Sequence, residues 1–256
     1  MAQVRVETAG PVATLVIDNP GKRNAVSADM WQQFEPLLAG LAADNAVKVV
    51  VVRGAGQDFS AGADIADLDR ILAGPGGGGV MTQGENAIAA FPKPTIAAID
   101  GYCVGGGWEI AGACDIRIAS DRSTFGITPS RLGIVYPVSG IKRLVSIAGP
   151  AVAKYLLFSG ELVPTAAALS LGLVSKVASA ATFWDDVQAF ATTLASRSQL
   201  SIHAMKQLID AIDEPSVTAL AEQWQDELSG DRAIGVAAFL GKYPPEFTWG
   251  AGSGVQ

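Results

Sequence analysis

The chain has 256 residues, 49% of them hydrophobic and only 17% charged, and 18 Lys plus Arg against 25 Asp plus Glu leave a net charge of −7. That apolar content excludes intrinsic disorder, and the length suffices to bury a core without disulfides or a structural metal. The acidic balance disfavours a generic nucleic-acid binder, and Lys154, Lys176, Arg197 and Lys206 are scattered among apolar positions rather than gathered on a basic helix face.

The N-terminal stretch carries Glu7 and Asp18 and alternates apolar with polar residues, unlike a signal peptide. No apolar run reaches the roughly 18 residues of a membrane span, so a soluble, cytoplasmic protein is expected. Val4 and Val6, then Val12, Thr14 and Val16, predict a β-hairpin turned at Ala9-Gly10-Pro11. Ser27 is a good N-cap for a helix carrying Met30, Trp31, Phe34, Leu37, Leu38 and Leu41 at helical spacing. Residues 47–52 form a nearly continuous β-branched run, the mark of a strand covered on both faces.

A short helix is predicted over 65–72. The tract 74–79, with one Pro and five Gly, reads as a mobile surface loop. A helix near 85–91 follows, stopped by Pro92 and Pro94. Then come strands at 95–99 and 102–104, a helix at 108–113, and strands at 115–119 and 124–126. From Val138 the pattern is helical, interrupted by a strand-like stretch at 172–177, and 182–240 reads as three or four amphipathic helices. Overall this is an α/β chain, with a core over 1–195 and a helical region over 196–256. Trp31, Trp108, Trp184, Trp224 and Trp249 are too dispersed to indicate a shared aromatic cage.

Cys103 and Cys114 read as reduced thiols, with no CxxC pair for zinc. The single histidine, His203, lies in an apolar helical stretch and reads as structural rather than as part of a Ser-His-Asp triad. Two other segments carry the chemical interest: Phe59-Ser60-Ala61-Gly62-Ala63-Asp64-Ile65 and Gly101-Tyr102-Cys103-Val104-Gly105-Gly106-Gly107-Trp108-Glu109. Each places small residues at a helix start, where unpaired N–H groups meet the positive end of the dipole. Converging on one point they make a two-donor oxyanion hole; taken singly, each also serves tight strand–helix packing. No Gly-Lys-Ser/Thr follows, which excludes a P-loop, and Gly105-Gly106-Gly107 lacks the GxGxxG spacing.

Together with Asn19-Pro-Gly-Lys-Arg-Asn-Ala-Val-Ser27, Lys93-Pro-Thr-Ile-Ala-Ala-Ile-Asp-Gly101, Cys114-Asp115 and Gly172-Leu-Val174, these segments resemble the crotonase (enoyl-CoA hydratase/isomerase) superfamily over about residues 5–178. The resemblance implies a spiral of ββα units with a C-terminal helical trimerisation region, and a homotrimer or a hexamer made of two trimers. It implies an acyl-CoA thioester as substrate, with no metal or redox cofactor. By position, the oxyanion donors fall at Ala63 and Gly106 and the acid/base at Glu109. The CoA-binding residues fall at Lys22, Arg23, Ala25, Ala61, Asp64 and Ile65, and the acyl pocket takes Trp108, Thr128 and Ser130. For Glu109 a plain favourable position in a first helical turn is the alternative, and for Lys22-Arg23 a solvated turn.

Hydratases of the superfamily carry a second glutamate in a Phe-x-x-Pro-Glu pattern. Counting forward from Phe125 places Pro129 there, with Ser130 beside it and no carboxylate. The stretch Thr128-Pro129-x-x-Leu132-Gly133-x-x-Tyr136 is instead similar to methylmalonyl-CoA decarboxylases, although those carry a histidine where Ala63 stands. Tyr136 is thereby a second catalytic candidate, or else a core tyrosine with a bonded hydroxyl. The expected activity is an enoyl-CoA hydratase/isomerase-type enzyme with one glutamate; the alternatives are a decarboxylase or a non-catalytic acyl-CoA-binding scaffold.

Overall fold

The computed structural model describes residues 2–74, 78–227 and 229–250. The hairpin forms as predicted, from β1 (Gln3–Ala9) and β2 (Val12–Asp18). Ser27 caps α1 (Ala28–Ala43), its Oγ accepting from the Met30 N–H at 3.3 Å. The valine run becomes β3 (Val49–Gly54). With β4 (Thr95–Ile99), β6 (Ile116–Ser120) and β9 (Lys176–Ala178) it completes a six-stranded sheet ordered β1-β2-β3-β4-β6-β9, antiparallel only at the hairpin.

Alternation along β3 explains its composition. Val50 and Val52 enter the main core with Leu15, Ile17, Phe34 and Leu38. Val49 and Val51 enter a second core under Phe183, Val187 and Ala191 of α7 (Phe183–Ala195). Both faces are therefore buried, as four consecutive valines require.

A smaller sheet holds β5 (Tyr102–Val104), β7 (Thr124–Gly126) and β8 (Leu162–Pro164). Successive passes of the chain leave one strand in each sheet: β4 then β5, β6 then β7. The pass after β3 contributes a single bridge, Ser60 to Cys103, to the small sheet. This repetition is the α/β spiral of ββα units expected above. Between the sheets runs α4 (Gly106–Ala113), whose eight residues are all buried.

A 3-10 turn (Ile65–Asp67) and α2 (Leu68–Leu72) follow the Ser60 bridge. The predicted loop at 74–79 falls partly outside the described residues, at 75–77, and its last glycine already opens α3 (Gly79–Ala89). Helix α5 (Val138–Ser159) breaks at Gly149, φ 79°, just ahead of Pro150. After α6 (Thr165–Ser170), the C-terminal helices are α8 (Gln199–Asp210), α9 (Val217–Glu227) and α10 (Ser229–Gly241).

Around α8 and α9, Leu200, Ala204 and Trp224 form a core of their own, joined by Leu220 and Trp249. Two of the five tryptophans come together. Trp224 and Trp249 approach to 6.4 Å, and His203 lies between them at 5.5 and 5.6 Å, bonded to Gln207. Among the described residues no helix is long and apolar enough to cross a membrane.

Candidate active site

The two glycine-bearing segments meet. Ser60 N–H donates to the Tyr102 carbonyl at 2.8 Å and Val104 N–H to the Ser60 carbonyl at 3.0 Å, which fixes one loop against the other. Glycine is what permits the closeness. A Cβ on Gly62, φ +107°, would stand 2.7 Å from the Val104 carbonyl, and one on Gly106 would stand 2.9 Å from the Ala63 nitrogen.

Accounting for the N–H groups singles out two of them. Ala61 N–H donates to the Arg23 carbonyl, Gly62 N–H to the Ser60 hydroxyl, Asp64 N–H to the Val26 carbonyl and Gly105 N–H to the Gly126 carbonyl. Ala63 is the middle residue of a parallel bridge to Val26, so its own N–H faces away from that pairing. Gly106 opens α4, where an N–H has no partner within the helix. Among the described residues neither N–H has an acceptor. Both residues line one narrow cavity of about 100 Å³, with Ala61, Met81, Thr128 and Tyr136 among its other walls.

Glu109 is one turn into α4 and 2% exposed, with Gly140 of α5 so close that a Cβ there would overlap its carboxylate. The carboxyl is not on the cavity wall. Tyr136 is; its hydroxyl donates to the Gly105 carbonyl at 3.0 Å and is close enough to Glu109 to oppose the rise of its pKa.

A second buried carboxyl stands nearby, though not at the position after Phe125, where Pro129 and Ser130 lie. Glu85 of α3, fully buried, lies against the same face of α5 as Glu109: Gly140 packs on the Glu109 carboxylate and Arg143, three residues on, pairs with Glu85. Its Oε2 accepts from Arg143 Nη1 at 2.7 Å, while Arg143 Nη2 donates to Asn86 at 2.7 Å. Burial first, then the hydrogen bond and charge of Glu85, push the Glu109 carboxyl well above the ordinary carboxylate range, against the opposing pull of Arg143 and Tyr136. Burial also raises the Tyr136 phenol.

The remaining expected residues divide. Thr128 lines the cavity; Ser130 is at the surface beside Gly160, and Trp108 is core, 1% exposed, rather than wall. Lys22 and Asp64 are joined at 2.6 Å, which holds the Asp64 carboxyl below its usual value, and Asp64 also caps the 3-10 turn at Ala66. Arg23, in the left-handed region at φ 46°, lies over the Tyr102 ring. Ala25 is tied through its carbonyl to Asn19, and Ile65 is 58% exposed at the cavity mouth. Lys22, Arg23, Ala61, Asp64 and Ile65 thus share one edge. Asn24 anchors that edge, donating to the Ala55 and Asp58 carbonyls at 2.8 and 2.7 Å. Cys103 and Cys114 are buried thiols whose ionisation burial opposes.

Comparison with known proteins agrees with this architecture. A family model described as enoyl-CoA hydratase/isomerase matches residues 7–249. The 2,3-dehydroadipyl-CoA hydratase of Escherichia coli is 31% identical, over 96% of this chain and 99% of that one. A crystal structure of an enoyl-CoA hydratase/isomerase family member superposes with a TM-score of 0.93 at 39% identity, covering 98% of this chain and 99% of the other. An enoyl-CoA hydratase/carnithine racemase from Magnetospirillum magneticum superposes with a TM-score of 0.89 at 31% identity, covering 97% and 96%.

Proposed function

Since the chain belongs to the enoyl-CoA hydratase/isomerase family of acyl-CoA enzymes, we propose that it forms and protonates a thioester enolate between the N–H groups of Ala63 and Gly106. The observation that carries this reading is the pair of acceptor-free amides side by side on one cavity wall. Negative charge growing on the thioester oxygen meets two fixed dipoles that need no titration and no reorganisation; one such donor is worth about 2.7–4 kcal/mol in the transition state.

Proton transfer falls to Glu109 acting through Tyr136, the one of the two that lines the cavity. Thr128 shares that wall. The edge bearing Lys22 and Arg23 would meet the CoA phosphates, with the 61–65 segment against the adenine; Lys22, 53% exposed, would exchange Asp64 for phosphate. CoA arrives as part of the substrate, and the proposed steps use no metal or redox group. By family membership we also propose a homotrimer or a dimer of trimers.

Incubation with crotonyl-CoA, a 3-enoyl-CoA and methylmalonyl-CoA, followed by mass and double-bond analysis, tests the reading. Addition of water or a shifted double bond is expected. Loss of carbon dioxide would make it a decarboxylase, and binding with no conversion, together with no deuterium uptake at Cα of a saturated acyl-CoA, would make it a scaffold.

A further inference from the structure

Two buried carboxyl groups lie near one cation, which pairs with Glu85 alone. Glu85 and Glu109 are 0% and 2% exposed, and among the described residues only Arg143 forms an ion pair with either, through Glu85 Oε2. The groups that face them come from three elements: Glu85 from α3, Glu109 from α4, Arg143 and Gly140 from α5, with Tyr136 just ahead of α5. Glu85 Oε1 and Glu109 Oε1 are both buried without a donor. Two ionised carboxylates there would leave one negative charge uncompensated and two acceptors unmet, whereas one proton held between them removes both deficits.

We propose that Glu85, locked by Arg143, is a positioning residue that keeps a proton on Glu109, so that Glu109 enters the reaction as a proton donor through the Tyr136 hydroxyl. The proposal rests on the enolate reading above. In the donating step the electron pair of the enolate forms a C–H bond with the Tyr136 proton as that O–H bond breaks. The Glu109 O–H bond breaks in turn, its proton passes to the tyrosine oxygen, and a carboxylate remains. The proton released when the enolate forms, from the acyl carbon or from the adding water, passes to solvent, and the Glu109 carboxylate takes a proton back from solvent once the product has left.

Infrared difference spectra of the full-length protein at neutral pH read the proton directly. A protonated-carboxyl band is expected in wild type and absent in both Glu109→Gln and Glu85→Gln. With whichever acyl-CoA of the panel is turned over, the alkaline limb of the pH–rate profile is expected to move acidward by about one unit or more in Glu85→Gln, as it does when a neighbouring negative charge is removed. A folded Glu85→Gln protein that keeps both the band and the profile overturns the proposal. Wild type lacking the band overturns it without any variant, so the test survives a variant that does not fold. Wild type that shows the band but converts no acyl-CoA and exchanges no Cα proton overturns the enolate reading and, with it, the donor role, while leaving the shared proton in place.

Discussion

Gly106 shows how much one missing methyl group decides. Its backbone suits any residue, but a Cβ would lie 2.9 Å from the Ala63 nitrogen and 3.3 Å from the Trp31 ring. Gly106→Ala therefore wedges the amide pair apart. The expected result is a fall in kcat of about 10²–10³-fold, as for loss of one oxyanion donor. The thermal midpoint is expected to fall modestly, overpacking of about 1–3 kcal/mol being offset in part by up to about 1 kcal/mol of helix propensity; unchanged kcat would remove the amide pair from the mechanism. Glu109 gives a second expectation with a definite sign. Its folded-state pKa is raised, so above its ordinary 4.5 the folded chain holds a proton that the unfolded chain has released, and this site makes stability fall as pH rises toward the raised value. The Tm of Glu109→Gln, measured relative to wild type from about pH 5 to about pH 8, is thus expected to improve steadily. A constant difference would mean that Glu109 is ionised throughout. Ala63, Gly106 and Glu109 could be marked as candidates because the two small-residue segments that hold them are contiguous enough to carry the family resemblance. Glu85 could not, because its partner Arg143 is 58 residues away and their pairing exists only after α3, α4 and α5 have packed.

At the scale of elements, the strands and α1 were legible because alternation, β-branching and a serine cap are local signals. Helix α3 was only half legible. Its glycines argue against helix by propensity, yet a Cβ on Gly84 would stand 2.9 Å from the Trp31 ring, so glycine is what lets α3 lie close on α1. Starting the helix near Glu85 instead of Gly79 put that glutamate in a first turn, where a favourable dipole would have accounted for it. β8 was missed because three residues ending in proline carry too little pattern. Packing also explains how the C-terminal helices attach. Lys206 of α8 reaches Asp115, just after α4, at 2.8 Å and the Lys93 carbonyl at 3.3 Å, with its side chain only 10% exposed. Lys206→Met removes both bonds and leaves Asp115 still held by Thr95. A charged hydrogen bond contributes about 1.5–3 kcal/mol. Amide hydrogen exchange in α8 is accordingly expected to speed up by about tenfold or more while β3 and β4 are unaffected. Equal exchange in the variant would show α8 to be held by its apolar contacts alone.

The whole molecule leaves apolar surface uncovered in a pattern, not at random. On α8 and just beyond it, Met205, Ile209 and Ile212 are 54%, 69% and 65% exposed at i, i+4 and i+7. On α10, Val236, Phe239 and Leu240 are 53%, 84% and 74% exposed at i, i+3 and i+4. Each set occupies one helix face, and a single exposed leucine would need no explanation whereas two such stripes do. A net charge of −7 opposes non-specific association, so specific, symmetric contacts are the expected way of burying these stripes. The proposed trimer would supply them. Light scattering on the full chain at about 0.15 M salt, where surface charges are screened beyond roughly 8 Å, is expected to give a mass of three chains or six. Placing one aspartate on each stripe, as Ile209→Asp with Phe239→Asp, buries two uncompensated charges per interface and should reduce the mass to a single chain. Far-ultraviolet helicity should persist in that variant, because both side chains point away from the core of their own chain. A single-chain mass for wild type would refute the assembly, and an unchanged mass in the double variant would place the interface on another face.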